Sequence, residues 1–331
     1  MTTSESNNRR LAVRWALCLF ASLTPVFASA AETYNLGHQF PADSIPDRVA
    51  RKFAELTHEY SQGDVAIKVH ANAAFGDERG HVALLRRQAL DFAITGDLVI
   101  GSLSDRYLVM NMPFLYRDLA HAMAVYDGKL GDAIRLELKT HGLRALSWHH
   151  VGTRMLTANR PIRNTTELAG LALRLPQDTT WIAAWRALGA TPRQVAFTEL
   201  ASALQLGTVE AQENPPNFIR SSKLYLHQKY IMTTNHMPQR QFIFASEGRW
   251  SGLTAQQRNS LQKAAAEASR WAVSMANAEN AKDLAWLLDE GGMKLVTFDA
   301  AGVQNALRGV PALVGGTEGA ALYQQLRAIQ P

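Results

Sequence analysis

Strand-like and helix-like stretches alternate along this chain and the alternation restarts near Gly152, which restricts the fold to an α/β architecture with two lobes. Thr33–Gly37 has the two-residue period of a strand. Ile45–Tyr60 then places Val49, Phe53 and Leu56 at helical spacing and stops at Ser61-Gln62-Gly63. Val65–Val69 reads as a strand, His81–Ala89 as a helix, Leu90–Ile94 as a third strand and Ala145–Trp148 as a later one, giving a largely parallel sheet. Beyond Gly152, Leu171–Leu175 is a strand and Thr179–Leu188 a helix. Val195–Phe197 is a further strand, with Thr198 capping a helix to Leu206. Gln241–Ser246 returns as a strand to the first lobe. The capping-box sequence Thr254-Ala-Gln-Gln257 opens a helix running to Glu290, long enough to bridge both lobes. About 300 residues exceed what one core usually organises. The expected division is residues 31–151 with about 240–280 in one lobe, and 152–239 with about 281–331 in the other.

Residues 1–30 have the three parts of a cleaved secretory signal: basic Arg9, Arg10 and Arg14, an apolar Trp15–Phe27, and the small-residue site Ala28-Ser29-Ala30. The expected location is therefore the periplasm. The apolar stretch is short for a membrane span, which needs about 20 residues. Cys18, the only cysteine, lies in this segment, so the mature chain has no thiol for disulfides, metal sites or nucleophilic catalysis. Loss of the segment lowers the net charge from +5 to +3, and no basic block remains to bind nucleic acid.

Gly170-Leu-Ala-Leu-Arg174-Leu-Pro176 sets an arginine at a strand end, and Gln212-Glu-Asn214-Pro215 sets an amide in a proline-stopped turn. A guanidinium fork matches a carboxylate bidentately, and an amide both donates and accepts. Ligands of open α/β sheets sit outside the carboxyl ends of strands, where Arg174 falls. Arg154 follows the strand at Ala145–Trp148 in Gly152-Thr-Arg154.

With Phe75-Gly-Asp-Glu-Arg79, Met112-Pro-Phe-Leu-Tyr-Arg117 and Ala196-Phe-Thr-Glu199, these motifs resemble the substrate-binding subunits of tripartite ATP-independent periplasmic (TRAP) transporters, the dicarboxylate-binding periplasmic protein family. The resemblance implies a two-lobed Venus-flytrap protein that closes on an organic acid and delivers it to a small and a large integral-membrane subunit for ion-driven uptake. It places the ligand carboxylate on Arg174, further contacts on Arg154 and Asn214, and ligand-facing positions at Gln39, Glu78 and Phe197. Trp181 is a candidate for stacking on the ligand. The chain departs from the family pattern at Val151, where asparagine is frequent, and at Ala201, where an aromatic is frequent and alanine would enlarge the pocket.

Two substrate readings stay open. Two arginines can serve the two carboxylates of a C4-dicarboxylate. Alternatively both serve one carboxylate while Gln39, Glu78 and Asp97 bind the hydroxyls of a sugar or hydroxy acid. An enzyme is not expected, because Gly-x-Ser-x-Gly, His-Glu-x-x-His and a mature cysteine are all absent from the sequence. No cofactor or metal is expected either, His149-His150 being adjacent on a strand and pointing apart. A monomer is expected, and a sensor that presents its ligand to a signalling receptor would use the same site. Gly315-Gly-Thr-Glu-Gly319 lacks the lysine of a phosphate loop and reads as a C-terminal loop.

Overall fold

A computed structural model describes residues 31–330; the expected signal segment lies outside the described residues. Nine strands form one sheet. They are β1 (Glu32–Gly37), β2 (Val65–His70), β3 (Phe92–Thr95), β4 (Leu143–Ala158), β5 (Ala172–Leu175), β6 (Thr191–Gln194), β7 (Ala211–Asn214), β8 (Tyr230–Ser246) and β9 (Lys294–Val296). The order is β2-β1-β3-β8-β4-β7-β5-β6, with β9 pairing β8.

The sheet is mixed rather than largely parallel. The β1–β2, β1–β3, β5–β6, β5–β7 and β8–β9 pairs are parallel, whereas β8 runs antiparallel to β3 and β4, and β4 antiparallel to β7. Two long strands cause this. β4 and β8 have 16 and 17 residues and run side by side through both halves of the molecule, so each extends well past the segment the alternation marks. Their pairing shifts register between Ala145 and Ser147, between His150 and Gly152, and between Arg154 and Leu156. Each shift bends the ribbon locally.

At the middle shift Gly152 has φ +139, and a Cβ there would fall 2.3 Å from Asn280 Oδ1. Only glycine fits this backbone and this approach. The same Asn280 donates to the Val151 carbonyl at 2.8 Å, as does Asn217. The structure therefore uses Val151 through its carbonyl, while its side chain lies in the core.

Asn280 belongs to the long helix Ala255–Asp289. Both hydrogen bonds of its capping box form, Gln257 N to Thr254 Oγ1 at 3.2 Å and Thr254 N to Gln257 Oε1 at 2.9 Å. Buried Ala264, Ala268, Ala272 and Ala276 recur every four residues and give the helix a smooth face. That face shares a core with Leu36, Val49, Phe53 and Ile243.

Two expectations need correction. The strand placed at Val195–Phe197 forms earlier, as β6, and Phe197–Glu199 is a 3-10 turn that runs directly into the helix Leu200–Gln205 without a cap from Thr198. β6 is an edge strand, where Pro192 and its missing N–H are tolerated. The Gly315–Gly319 segment is helical, within Val310–Ala328, and kinks at Gly316. Gly315 and Gly319 allow that helix to lie against Val109 and Arg106. The C-terminal helix lies on the 3-10 segment Asp105–Asn111, with a smaller contact to the helix Thr179–Ala187. Arg117 holds its end through the Arg327 and Ile329 carbonyls at 3.0 and 2.6 Å.

Candidate functional site

The carboxyl ends of β1, β3, β5 and β7 converge on one cavity of about 50 Å³. Gln39, Glu78, Arg154, Arg174, Trp181, Phe197 and Asn214 all line it, so the structure brings every residue selected from sequence to one place. Ala201 does not line it; this residue packs against the cluster containing Leu200, Ile219 and Leu224, and so does not enlarge the space.

Arg174 lies on β5 between Leu173 and Leu175, which point into the core. Strand alternation turns the guanidinium to the opposite face, toward the cavity. The residue is 2% exposed. Its Nε donates to the Val195 carbonyl at 2.9 Å, and among the described residues its two terminal nitrogens have no hydrogen-bond or carboxylate partner. Burial pulls its proton affinity below the ordinary guanidinium value; Glu213 opposes the shift and Arg154 adds to it. A buried cation without a counter-charge is costly and calls for an anion.

Arg154, on β4, is held differently. Its Nε and Nη2 donate to the Glu213 carboxylate, Nη2 also donates to the Glu213 carbonyl at 2.6 Å, and Nη1 donates to Gln239. Four of its five N–H groups are thus taken. Its guanidinium carbon lies 4.7 Å from the Trp181 ring centre. Glu213 accepts a further contact from His236 Nε2 at 2.9 Å. Burial alone would raise its carboxyl, yet Arg154 and His236 together keep it below the usual range.

On the far wall Arg240 clasps Asp97, with Nε to Oδ2 at 2.7 Å, and Tyr126 donates to the same oxygen at 3.2 Å. Glu78 begins the helix Glu78–Arg86, whose N-cap is Asp77. Its Oε1 is shielded and has no partner. Burial, reinforced by Asp97, pushes the Glu78 carboxyl up to about 8, so it is mostly neutral at neutral pH. The lining then holds two internally neutralised pairs, one neutral acid and one unpaired cation.

Asn214 ends β7 and donates to Gln212 Oε1 at 2.6 Å, which fixes the amide. Gln39 is half-buried on the loop after β1. The Trp181 N–H and the Gln241 side-chain oxygen are shielded and unpartnered. Sequence reasoning missed Glu213, Gln239, Gln241, Phe40 and Phe218. Glu213 adjoins Asn214 in the quoted motif, and a buried arginine nearby was the signal that it would be a counter-ion. Nothing local marks Gln239 or Gln241, because β8 reads as core on both sides of them.

Residues 36–310 match the profile described as bacterial extracellular solute-binding protein, family 7. The chain belongs to this family. It is 28% identical over 269 residues to the 2,3-diketo-L-gulonate-binding periplasmic protein YiaO of Escherichia coli (strain K12), covering 81% of this chain and 82% of that one. A TRAP periplasmic solute-binding protein from Bordetella bronchispeptica, with density assigned as pantoate, superposes with TM-score 0.85 at 29% identity, covering 90% of this chain and 99% of that one. Another from Polaromonas sp. JS666, bound to D-erythronate, gives 0.85 at 27% identity over 90% and 99%. The family-7 member is thus a two-lobed solute-binding protein and not an enzyme. Among the described residues no group of three His, Cys, Asp or Glu side chains is placed to hold a metal.

Proposed function

We propose that this protein captures an organic acid bearing a single carboxylate in the periplasm and delivers it to the small and large membrane subunits of a TRAP transporter for ion-driven uptake. The unpaired Arg174 carries this reading. The lining provides one uncompensated positive charge, which one carboxylate neutralises. A C4-dicarboxylate would bring a second anion, yet the Arg154 fork already holds Glu213 and the Arg240 fork opposite already holds Asp97. Diketogulonate, pantoate and erythronate, named for the three relatives described above, are monocarboxylic acids, while a C4-dicarboxylate-binding periplasmic protein of Rhodobacter capsulatus is also similar, at 29% identity. The expected leader sequence and the periplasmic relatives support export.

The two halves meet where β4 and β8 cross between His150 and Gly152, opposite Arg240 and Gln239, and where the long helix touches Val151. Residues 31–151 with about 240–280 then form one lobe and 152–239 the core of the other. The C-terminal helix straps onto the first. Arg174, Arg154, Asn214, Phe197 and Trp181 come from the second lobe, and Gln39 and Glu78 from the first, so closure completes the site.

Isothermal titration calorimetry with pantoate, erythronate and malate tests the assignment. Arg174→Ala should weaken the best monocarboxylate by about 100-fold or more, because the buried carboxylate would lose its counter-ion. Tightest binding to malate, or unchanged affinity in the variant, would overturn it.

A further inference from the structure

The polar half of the cavity accounts for one carboxylate; the other half is aromatic. Phe40 follows β1, Phe218 lies on the helix Pro216–Ser221, and Phe197 starts the turn after β6. Phe40 and Phe218 stack with ring centres 4.8 Å apart, and Phe197 lies 5.6 Å from Phe40 and 5.9 Å from Phe218. All three line the same cavity as Arg174. A ligand hydroxylated on every carbon would bury some of its hydroxyls against these rings without partners, which is costly.

The polar atoms left over are specific in kind. Among the described residues the shielded oxygens of Gln241 and Glu78 have no partners, and neither has the Trp181 indole N–H. The Gln241 oxygen needs a donor, which a carboxylate or a ketone lacks and a hydroxyl has, while a protonated Glu78 accepts at one oxygen and donates from the other. An ammonium group also donates, but a zwitterion would leave the single positive charge of the lining uncompensated.

Resting on the monocarboxylate reading, we infer that the ligand is a short aliphatic hydroxy acid: its carboxylate on Arg174, a branched apolar body against Phe40, Phe197 and Phe218, and its hydroxyls directed to Gln241 and Glu78. The mainly neutral state of Glu78 fits this role, since it can accept from one hydroxyl without repelling the acid. In this arrangement the phenylalanines exclude polyhydroxy acids while Arg174 supplies affinity common to all acids.

The test is calorimetry on the mature protein with four probes: pantoate, which has two methyl branches and two hydroxyls; erythronate, a four-carbon acid without apolar branches; D-galacturonate; and malate. One methylene in an apolar pocket is worth about 10–200-fold in selectivity, so pantoate should bind at least about tenfold tighter than erythronate, with galacturonate weaker still. Phe197→Asn should lower the pantoate-to-erythronate ratio by about tenfold, and Phe197→Leu should restore most of it, which a general packing defect would not do. Tightest binding of erythronate or galacturonate, or a ratio unmoved by Phe197→Asn, overturns the inference and leaves the monocarboxylate reading in place. Tightest binding of malate, or no binding of any acid, overturns both.

Discussion

Arg154 and Arg174 are both buried arginines on strands that reach the cavity, and their partners give them different work. Arg154 is neutralised within the protein, so removing its counter-ion should damage the fold. Glu213→Gln is expected to cost about 3–5 kcal/mol in urea unfolding, since it leaves a buried guanidinium uncompensated. Arg174 has no counter-ion to lose, so Arg174→Ala should leave the ligand-free protein at least as stable as the parent in the same experiment. Glu78 adds a pH signature. Its folded carboxyl titrates at about 8, above its ordinary value near 4.5. Between those pH values the folded state holds a proton that the unfolded state has released, so stability falls as pH rises through this window. Buried Asp178, pushed up to about 6, contributes in the lower part of it. Glu78→Gln should flatten the decline in melting temperature between about pH 5 and 8, and an unchanged slope would remove Glu78 as its source.

Among the elements, those with a local signal were legible. The helix Ile45–Tyr60 and the capping box at Thr254 appear where periodicity and capping chemistry place them. The crossing strands were only partly legible. Gly152 interrupts the apolar pattern of β4, and β8 mixes buried His236, Gln239, Arg240 and Gln241 with apolar residues. Their polar side chains are satisfied by residues far away in sequence, as Arg240 is by Asp97. A local window sees such residues as surface and cuts the strand short. The same limitation explains the site. The motifs named seven lining residues, but the wall supplied by the middle of β8 exists only once β4 and β8 pair. Gly152 is the most sensitive point of that pairing. Gly152→Ala forces an unfavourable φ and a contact with Asn280, and should cost about 1–3 kcal/mol by chemical denaturation. Restoring space with Asn280→Ala in the same chain should recover only the steric part, because the φ penalty and the loss of the hydrogen bond to Val151 remain.

At the scale of the whole molecule, a solvent-exposed hydrogen bond crosses between the proposed lobes beside the cavity. Arg79, on the helix Glu78–Arg86, donates from Nη2 to the Gln177 carbonyl at 2.7 Å, and the contact is exposed to solvent. Gln177 sits between β5 and the helix Thr179–Ala187, next to the strand that carries Arg174. If the halves part to release ligand, this bond breaks with each opening, and it contributes only to the closed form. A typical net contribution of about 0.5–1.5 kcal/mol corresponds to roughly a 2–12-fold change in the equilibrium. Arg79→Ala should therefore raise the dissociation rate of the ligand by that factor. The association rate should change little, since affinity differences at one site reside mainly in dissociation. The ligand-free melting temperature should be unchanged, because the bond is peripheral to every hydrophobic cluster. Stopped-flow tryptophan fluorescence reads the rate directly, with Trp181 in the cavity wall as reporter. A dissociation rate identical to that of the parent would mean that release proceeds without separating Arg79 from Gln177, and the hinged account of capture would have to be abandoned.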